Sequence, residues 1–262
     1  MKRLIYQVRV GESKKSKLYD ACIDSVDAYC KTHSIEHYVQ TTPKLRIGPD
    51  PFLSNRSQAS HQKHGGYLPI YEKENAFDLL DDYDQICILD ADIFIRPDTP
   101  NIFDDFGTSH AWGGVVEREM PIKEEYKRKI INYSQMQYSL LHPNPNFKPN
   151  SLGFEFYNMG MILINCKLFK PHMKGQSASQ FIRRFEFQPF VDGQGAWKWS
   201  TDQTLLNFFV KKYNVPVKHM SWKWNGLFTA NTKISECYFV HFFLKDKLPN
   251  RGENVPELMK LI

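Results

Sequence analysis

The stretch "YDQICILDADIFIRPDTPNIFD", Tyr83 to Asp104, decides the fold. An apolar run, Ile86 to Leu89, leads into two aspartates one residue apart, Asp90 and Asp92, and the chain then turns apolar again at Ile93. The pattern predicts a strand over 85–95 buried on both faces. Desolvating one carboxylate costs several kcal/mol and a close like-charged pair costs more, so something positive is expected at this point.

Working outward, "KRLIYQVRV" predicts a first strand and "SKLYDACIDSVDAYCK" a helix, with Leu18, Cys22, Val26 and Tyr29 recurring at helical spacing. "IEHYVQT" predicts a second strand. A polar, proline-containing loop follows, and then "YEKENAFDLLDDYD" predicts a helix that leads back to the opening stretch. Strand, helix, strand, helix, strand is the signature of an open α/β sheet with crossover helices. Ligands bind outside the carboxyl ends of such strands, where Asp90 and Asp92 lie. Beyond them the pattern predicts a short strand "AWGGVV", a long helix "KEEYKRKIINYSQMQYSLL" and a buried strand "FYNMGMILIN". A helix "STDQTLLNFFVKKY", capped by Ser200 or Thr201, and the strands "VPVKHM" and "CYFVHFF" complete the order.

Composition narrows the class. With 262 residues, 42% hydrophobic and 24% charged, the chain is of soluble globular type with ample length for a core. No repeat or Ser/Gly-rich linker divides it, so one domain over 1–262 is expected. The net charge of +5 suits an acidic ligand such as a nucleoside diphosphate, or an anionic membrane face, and is too weak to argue for nucleic acid. The apolar run of "MKRLIYQVRVGESKK" breaks at Gln7 and Arg9, far short of a secretory or membrane-spanning segment. Five scattered cysteines without Cys-x-x-Cys spacing fit a reduced, cytoplasmic protein.

Four pieces in order, "ILDADIFI", "YNMGMILIN", "STDQTLLNFF" and "VHFFLKDK", resemble the GT-A-fold glycosyltransferases, and within them glycosyltransferase family 8, the glycogenin-like and lipopolysaccharide-sugar-transferase-like enzymes. The resemblance spans about Lys73 to Lys247. It implies a Rossmann-like mixed central sheet flanked by helices, with a nucleotide-binding half (1–110) and an acceptor-side half (111–262). It further implies that Asp90, Asp92 and His241 hold a divalent metal, manganese or else magnesium, that grips the diphosphate of a sugar nucleotide. Asp202 and Gln203, with Asn158, fall at the family's catalytic positions beside the donor sugar. Lys73, Ala91, Gly160 and Lys245 or Lys247 fall at donor-binding ones. The resemblance implies a uridine nucleotide and retention of configuration, with a glycan, lipid-linked or protein acceptor. Where the family commonly continues with a glycine and Lys-Pro-Trp after the histidine, this chain has Leu244, Lys245, Asp246 and Lys247.

The residue types make chemical sense by themselves. A hard divalent cation on carboxylates neutralises charge where the leaving diphosphate develops it, and an added imidazole shifts preference toward manganese. Each position also has a plain alternative: Asp202 as a helix-dipole residue, Lys73 as part of a solvated helix face, His241 as a satisfied core histidine, Asn158 and Gly160 as strand-end packing. "KHMSWKWNGLF" either stacks a sugar, rests on a lipid surface or packs as a loop. Two other functions share an Asp-x-Asp strand end: a phosphatase of haloacid-dehalogenase type, which normally carries it on the first strand, and a non-catalytic glycan- or nucleotide-binding relative.

Overall fold

The computed structural model describes residues 1–11, 16–45 and 68–262. Most of the polar loop expected before the second helix, residues 46–67, lies outside the described residues. In chain order come β1 (Arg3–Val8), α1 (Lys17–His33), β2 (Glu36–Gln40), a 3₁₀ helix (Pro69–Leu79), β3 (Gln85–Leu89), β4 (Ile93–Ile95), α2 (Ile102–Phe106), β5 (Trp112–Val116) and α3 (Glu124–Tyr138). They are followed by the ribbon β6 (Pro149–Asn150) and β7 (Gly153–Phe154), β8 (Tyr157–Asn165), α4 (Cys166–Met173), α5 (Ala178–Ile182) and α6 (Gln188–Asp192). The chain ends with α7 (Asp202–Lys212), β9 (Val217–His219), β10 (Gly226–Leu227), β11 (Phe239–His241) and α8 (Val255–Met259).

A six-stranded sheet in the order β2-β1-β3-β8-β5-β9 forms the centre. All neighbours are parallel except β8, which runs against both β3 and β5. Side chains of β3 alternate between two cores: Ile86 and Ile88 pack on one face with the phenylalanines of α4 to α7, while Cys87 and Leu89 pack on the other with Val26 and Tyr29 of α1. The carboxyl ends of β1, β3 and β5 and the start of β8 therefore share one edge. All five cysteines are buried and free.

Two expectations are corrected. The strand predicted over 85–95 is two strands in different sheets, because the chain turns at the aspartates, where the Ile93 amide donates to the Asp90 carbonyl (3.2 Å). β4 leaves the central sheet and pairs antiparallel with β11, which places His241 opposite Ile93. The predicted α-helix over 71–84 is a 3₁₀ helix ending at Leu79. Seven consecutive residues, Tyr71 to Phe77, are buried, so no solvent face exists for an amphipathic helix to present. Side-chain bonds organise the segment instead. The Glu72 carboxylate accepts from Gln40 Nε2 (2.7 Å), the Lys44 amide (2.8 Å) and Asn75 Nδ2 (2.7 Å), and Asn75 Nδ2 also takes the Glu72 carbonyl that an α-helical turn would use.

The other elements match with trimmed ends. The strand expected at "CYFVHFF" is only Phe239–His241, and Thr201 caps α7 by accepting from the Gln203 amide (3.2 Å), while Ser200 is buried against the Phe190 carbonyl.

Candidate active site

Breaking the strand at Asp90 is what assembles the site. Phe242 donates its amide to the Asp92 carbonyl (2.9 Å), tying the end of β11 to the turn. The ligand atoms of Asp90, Asp92 and His241 lie within 4.8 Å of one another. His241 Nε2 is 3.2 Å from Asp92 Oδ1 and 3.6 Å from Asp90 Oδ2. Its other nitrogen, Nδ1, faces Asn225 Oδ1 (3.1 Å), and Asn225 Nδ2 donates to Asn158 Oδ1 (2.8 Å). With the Nδ1 hydrogen committed to Asn225, Nε2 is the atom left toward the carboxylates.

Gly160 lets this imidazole in. The pairing of β5 with β8 jumps from Gly114 opposite Ile162 to Val115 opposite Asn158, a bulge that pushes Gly160 toward the site. A Cβ there would lie 2.5 Å from the His241 ring, so only glycine fits without displacing it. The Asp90 amide donates to the Gly160 carbonyl (2.8 Å), and Gln7 Nε2 at the end of β1 donates to the Asp90 carbonyl (3.2 Å). Ala91, buried between the two aspartates, supplies backbone to the turn.

Lys73 is no solvated helix residue. It is 5% exposed, and its Nζ donates to Asp90 Oδ1 (2.7 Å) and the Met159 carbonyl (2.9 Å) and pairs with Asp202 Oδ2 (2.7 Å). Burial alone would lower the Lys73 pKa, but Asp202 and Asp90 outweigh it and hold the ammonium charged. Burial raises the Asp202 carboxyl above its ordinary value against the pull of Lys73. Burial likewise opposes the shifts at Asp92 and His241; their mutual attraction wins, lowering the carboxyl and raising the imidazole.

Gln203, next on α7, donates through Nε2 to Glu117 Oε2 (2.8 Å). Glu117 follows the end of β5, and burial raises its carboxyl while bonds from Gln203 and Asn158 restrain the rise. Sequence reasoning missed Glu117, although "GGVVE" repeats the pattern of an apolar strand ending in an acid that marked "CILD". It also missed Asn225, which sits in a short 3₁₀ turn with no periodic signal.

The segment after His241 separates the two lysines. Leu244 adopts left-handed backbone (φ 55°) where the resembling family has glycine. Lys245 Nζ is held by Glu253 and Ser16 Oγ (3.0 Å), whereas the exposed Lys247 makes no ion pair among the described residues. In "KHMSWKWNGLF", Trp224 is buried and donates to Asp105 Oδ2 (2.5 Å), which makes this stretch a packed loop.

The donor set fits a hard divalent cation: two carboxylates from the turn between β3 and β4 and one imidazole from β11. A haloacid-dehalogenase arrangement would carry its acids after the first strand, whereas here they follow β3. No helix among the described residues is long and apolar enough to cross a membrane.

No protein-family model matches the chain, and no curated protein matches it in sequence. Solved structures do. Over 98% of its length the chain is similar to the galactosyltransferase LgtC in complex with donor and acceptor sugar analogs, with 13% identity, 94% of that chain covered and a TM-score of 0.54. Over 95% of its length it is similar to mouse xyloside xylosyltransferase 1 in apo form, with 11% identity, 100% of that chain covered and a TM-score of 0.50. At such identities the likeness concerns the fold, a GT-A-type mixed α/β sheet flanked by helices.

Proposed function

We propose that the chain is a metal-dependent glycosyltransferase of the family 8 kind, moving a sugar from a nucleotide-sugar donor, a uridine nucleotide in the first instance, to a glycan, lipid-linked or protein acceptor with retention of configuration. One observation carries this reading: Asp90, Asp92 and His241 converge at the carboxyl edge of the sheet, and Lys73 links that cluster to Asp202. The GT-A fold shared with LgtC supports it.

In this reading Asp90, Asp92 and His241 hold manganese or magnesium, which neutralises charge developing on the departing diphosphate. Asn225 fixes the imidazole so that Nε2 faces the ion. Lys73 pairs with Asp202 and orients it at the start of α7, where it can respond to positive charge developing on the sugar carbon. Gln203, Glu117 and Asn158 form one hydrogen-bonded group beside it, suited to grip sugar hydroxyls. Lys247, unlike Lys245, is free to reach a diphosphate without first leaving a carboxylate.

A screen of sugar nucleotides for slow hydrolysis tests the proposal. Manganese-dependent release of nucleoside diphosphate from one or a few donors is expected, with loss in excess chelator. Full turnover in chelator, or no hydrolysis and no manganese-dependent binding of any donor, would overturn it.

A further inference from the structure

The opposite end of α7 carries a second buried ion cluster of the reverse sign. Arg118 (6% exposed) and Lys211 (side chain 8% exposed) both converge on one carboxylate: Lys211 Nζ donates to Glu155 Oε1 (2.9 Å), and Arg118 Nη2 lies 3.5 Å from Glu155 Oε2. Arg118 spends Nη1 on the carbonyls of Lys148 (2.5 Å) and Gly153 (2.7 Å), and its buried Nε has no hydrogen-bond partner among the described residues. Among the described residues the Lys211 ammonium, with three N–H groups, has one hydrogen-bond acceptor, and it lies over the rings of Phe147 and Tyr157 at 5.1 and 5.4 Å. Two buried cations thus share one anion.

Lys211 and Glu155, though not Arg118, line a cleft. A space of about 180 Å³ is lined by Lys148, Glu155, Tyr157 and Lys211, with Asn146 and Asn214 at its side. That is room for roughly six waters at about 30 Å³ each, or for a small oxyanion with part of its hydration. The charges around it agree. Burial lowers the Lys211 pKa, Glu155 restores part of it, and Arg118 and Lys148 act on the ammonium as nearby positive charges. The negative end of the α7 dipole, about half a charge, offsets part of the one-charge excess of Arg118 and Lys211 over Glu155. Lys211 stands nine residues along α7 from Asp202, about 13 Å by helical rise.

We propose that this cleft is a binding site for a small oxyanion, a sulfate, a phosphate or the charged group of an acidic sugar, separate from the site at Asp90. The proposal stands apart from the sugar-transfer reading, since it requires neither metal nor donor.

Sulfate is the first probe, titrated into the metal-free full chain at ionic strength held constant with chloride while melting is followed. The parent is expected to show a saturable rise of about 2–4 °C, the size of about 1 kcal/mol of linkage for a chain of this length. Lys211→Gln should abolish the rise. Glu155→Gln, which removes the competing carboxylate, should bind sulfate at least about tenfold tighter, since an opposing charge has been taken away. Lys148→Ala, at an exposed position, should weaken binding without threatening the fold. Replacing sulfate with glucose 6-phosphate or glucuronate then distinguishes a free anion from one carried on a sugar: whichever binds tighter in a Lys211-dependent way names the source. A rise that chloride reproduces, or one that Lys211→Gln and Glu155→Gln both leave unchanged, would overturn the proposal.

Discussion

The two ends of α7 present opposite charge problems. At its start, among the described residues, Asp90 and Asp202 share Lys73 while Asp92 faces His241, so three carboxylates stand against one lysine whenever the imidazole is neutral. In the proposed reading a divalent cation would supply the balancing charge. At its end, Arg118 and Lys211 share the single carboxylate Glu155, and the excess is positive. Burial makes both imbalances costly, so among the described residues each end suits a counter-ion of the opposite sign. What separates them is the ligand set: converging oxygens and an imbalance of two at one end, spare N–H donors and an imbalance of one at the other.

The strongest challenge to this contrast is to remove Lys73. Lys73→Met should cost about 3–5 kcal/mol in urea unfolding, because buried Asp202 loses its partner. Adding Asp202→Asn should recover most of the loss. Equal stability of parent and single variant would mean that the pair is not holding the first end together.

Next in size is Asp92→Asn, which keeps the shape of the turn and removes a ligand charge. Donor hydrolysis should fall about a hundredfold or more at fixed manganese, with stability nearly unchanged. Initial rates and melting on one preparation tell a ligand from a turn residue.

Glu74 sharpens the comparison further, since it adds a carboxyl to the crowded end without adding a charge. Both its oxygens are buried without a hydrogen-bond partner among the described residues, and burial, followed by Asp202, raises it well above its ordinary 4.5. Burial thus favours its protonated form in the fold, whereas in the unfolded chain it ionises around its ordinary value. The stability associated with the protonated acid is therefore fully present below pH 4.5 and is lost as pH rises toward the folded value. Glu74→Leu should accordingly stabilise the protein by about 1–3 kcal/mol at neutral pH, with the gain shrinking toward acid pH. A gain independent of pH would show that Glu74 is ionised in the fold.

The smallest effect is expected at Leu244. Left-handed backbone costs a leucine about 1–2 kcal/mol, part of which glycine gives back as unfolded-chain entropy, so Leu244→Gly should stabilise by under about 1 kcal/mol. A loss of stability would mean that the exposed leucine side chain makes a contact worth more than the strain.

These contrasts also show what could be read from the chain beforehand. The crossover order and the alternating faces of β3 follow from period-two burial, a local property of the residues themselves. The aspartate pair was legible because charge in an apolar run is costly and therefore conspicuous. The break at Asp90 was not, since the apolar run resumes at Ile93 and only pairing with β11, nearly 150 residues onward, tells one strand from two. The 3₁₀ helix was misread because Glu72 and Asn75 act through partners on β2 and beyond, which no helical period encodes. Glu155 and Lys211, 56 residues apart, carry no motif at all, and their cluster exists only in the fold.

Counting manganese on the full chain tests the central claim most directly. With free manganese followed by its electron paramagnetic resonance signal, the parent should bind ions at a single saturable site without any donor present. His241→Ala should weaken that site at least about tenfold, with partial recovery of donor hydrolysis at high manganese. If the parent binds no manganese, or His241→Ala binds it as the parent does, Asp90, Asp92 and His241 are not a metal centre and the account of the first end of α7 is wrong.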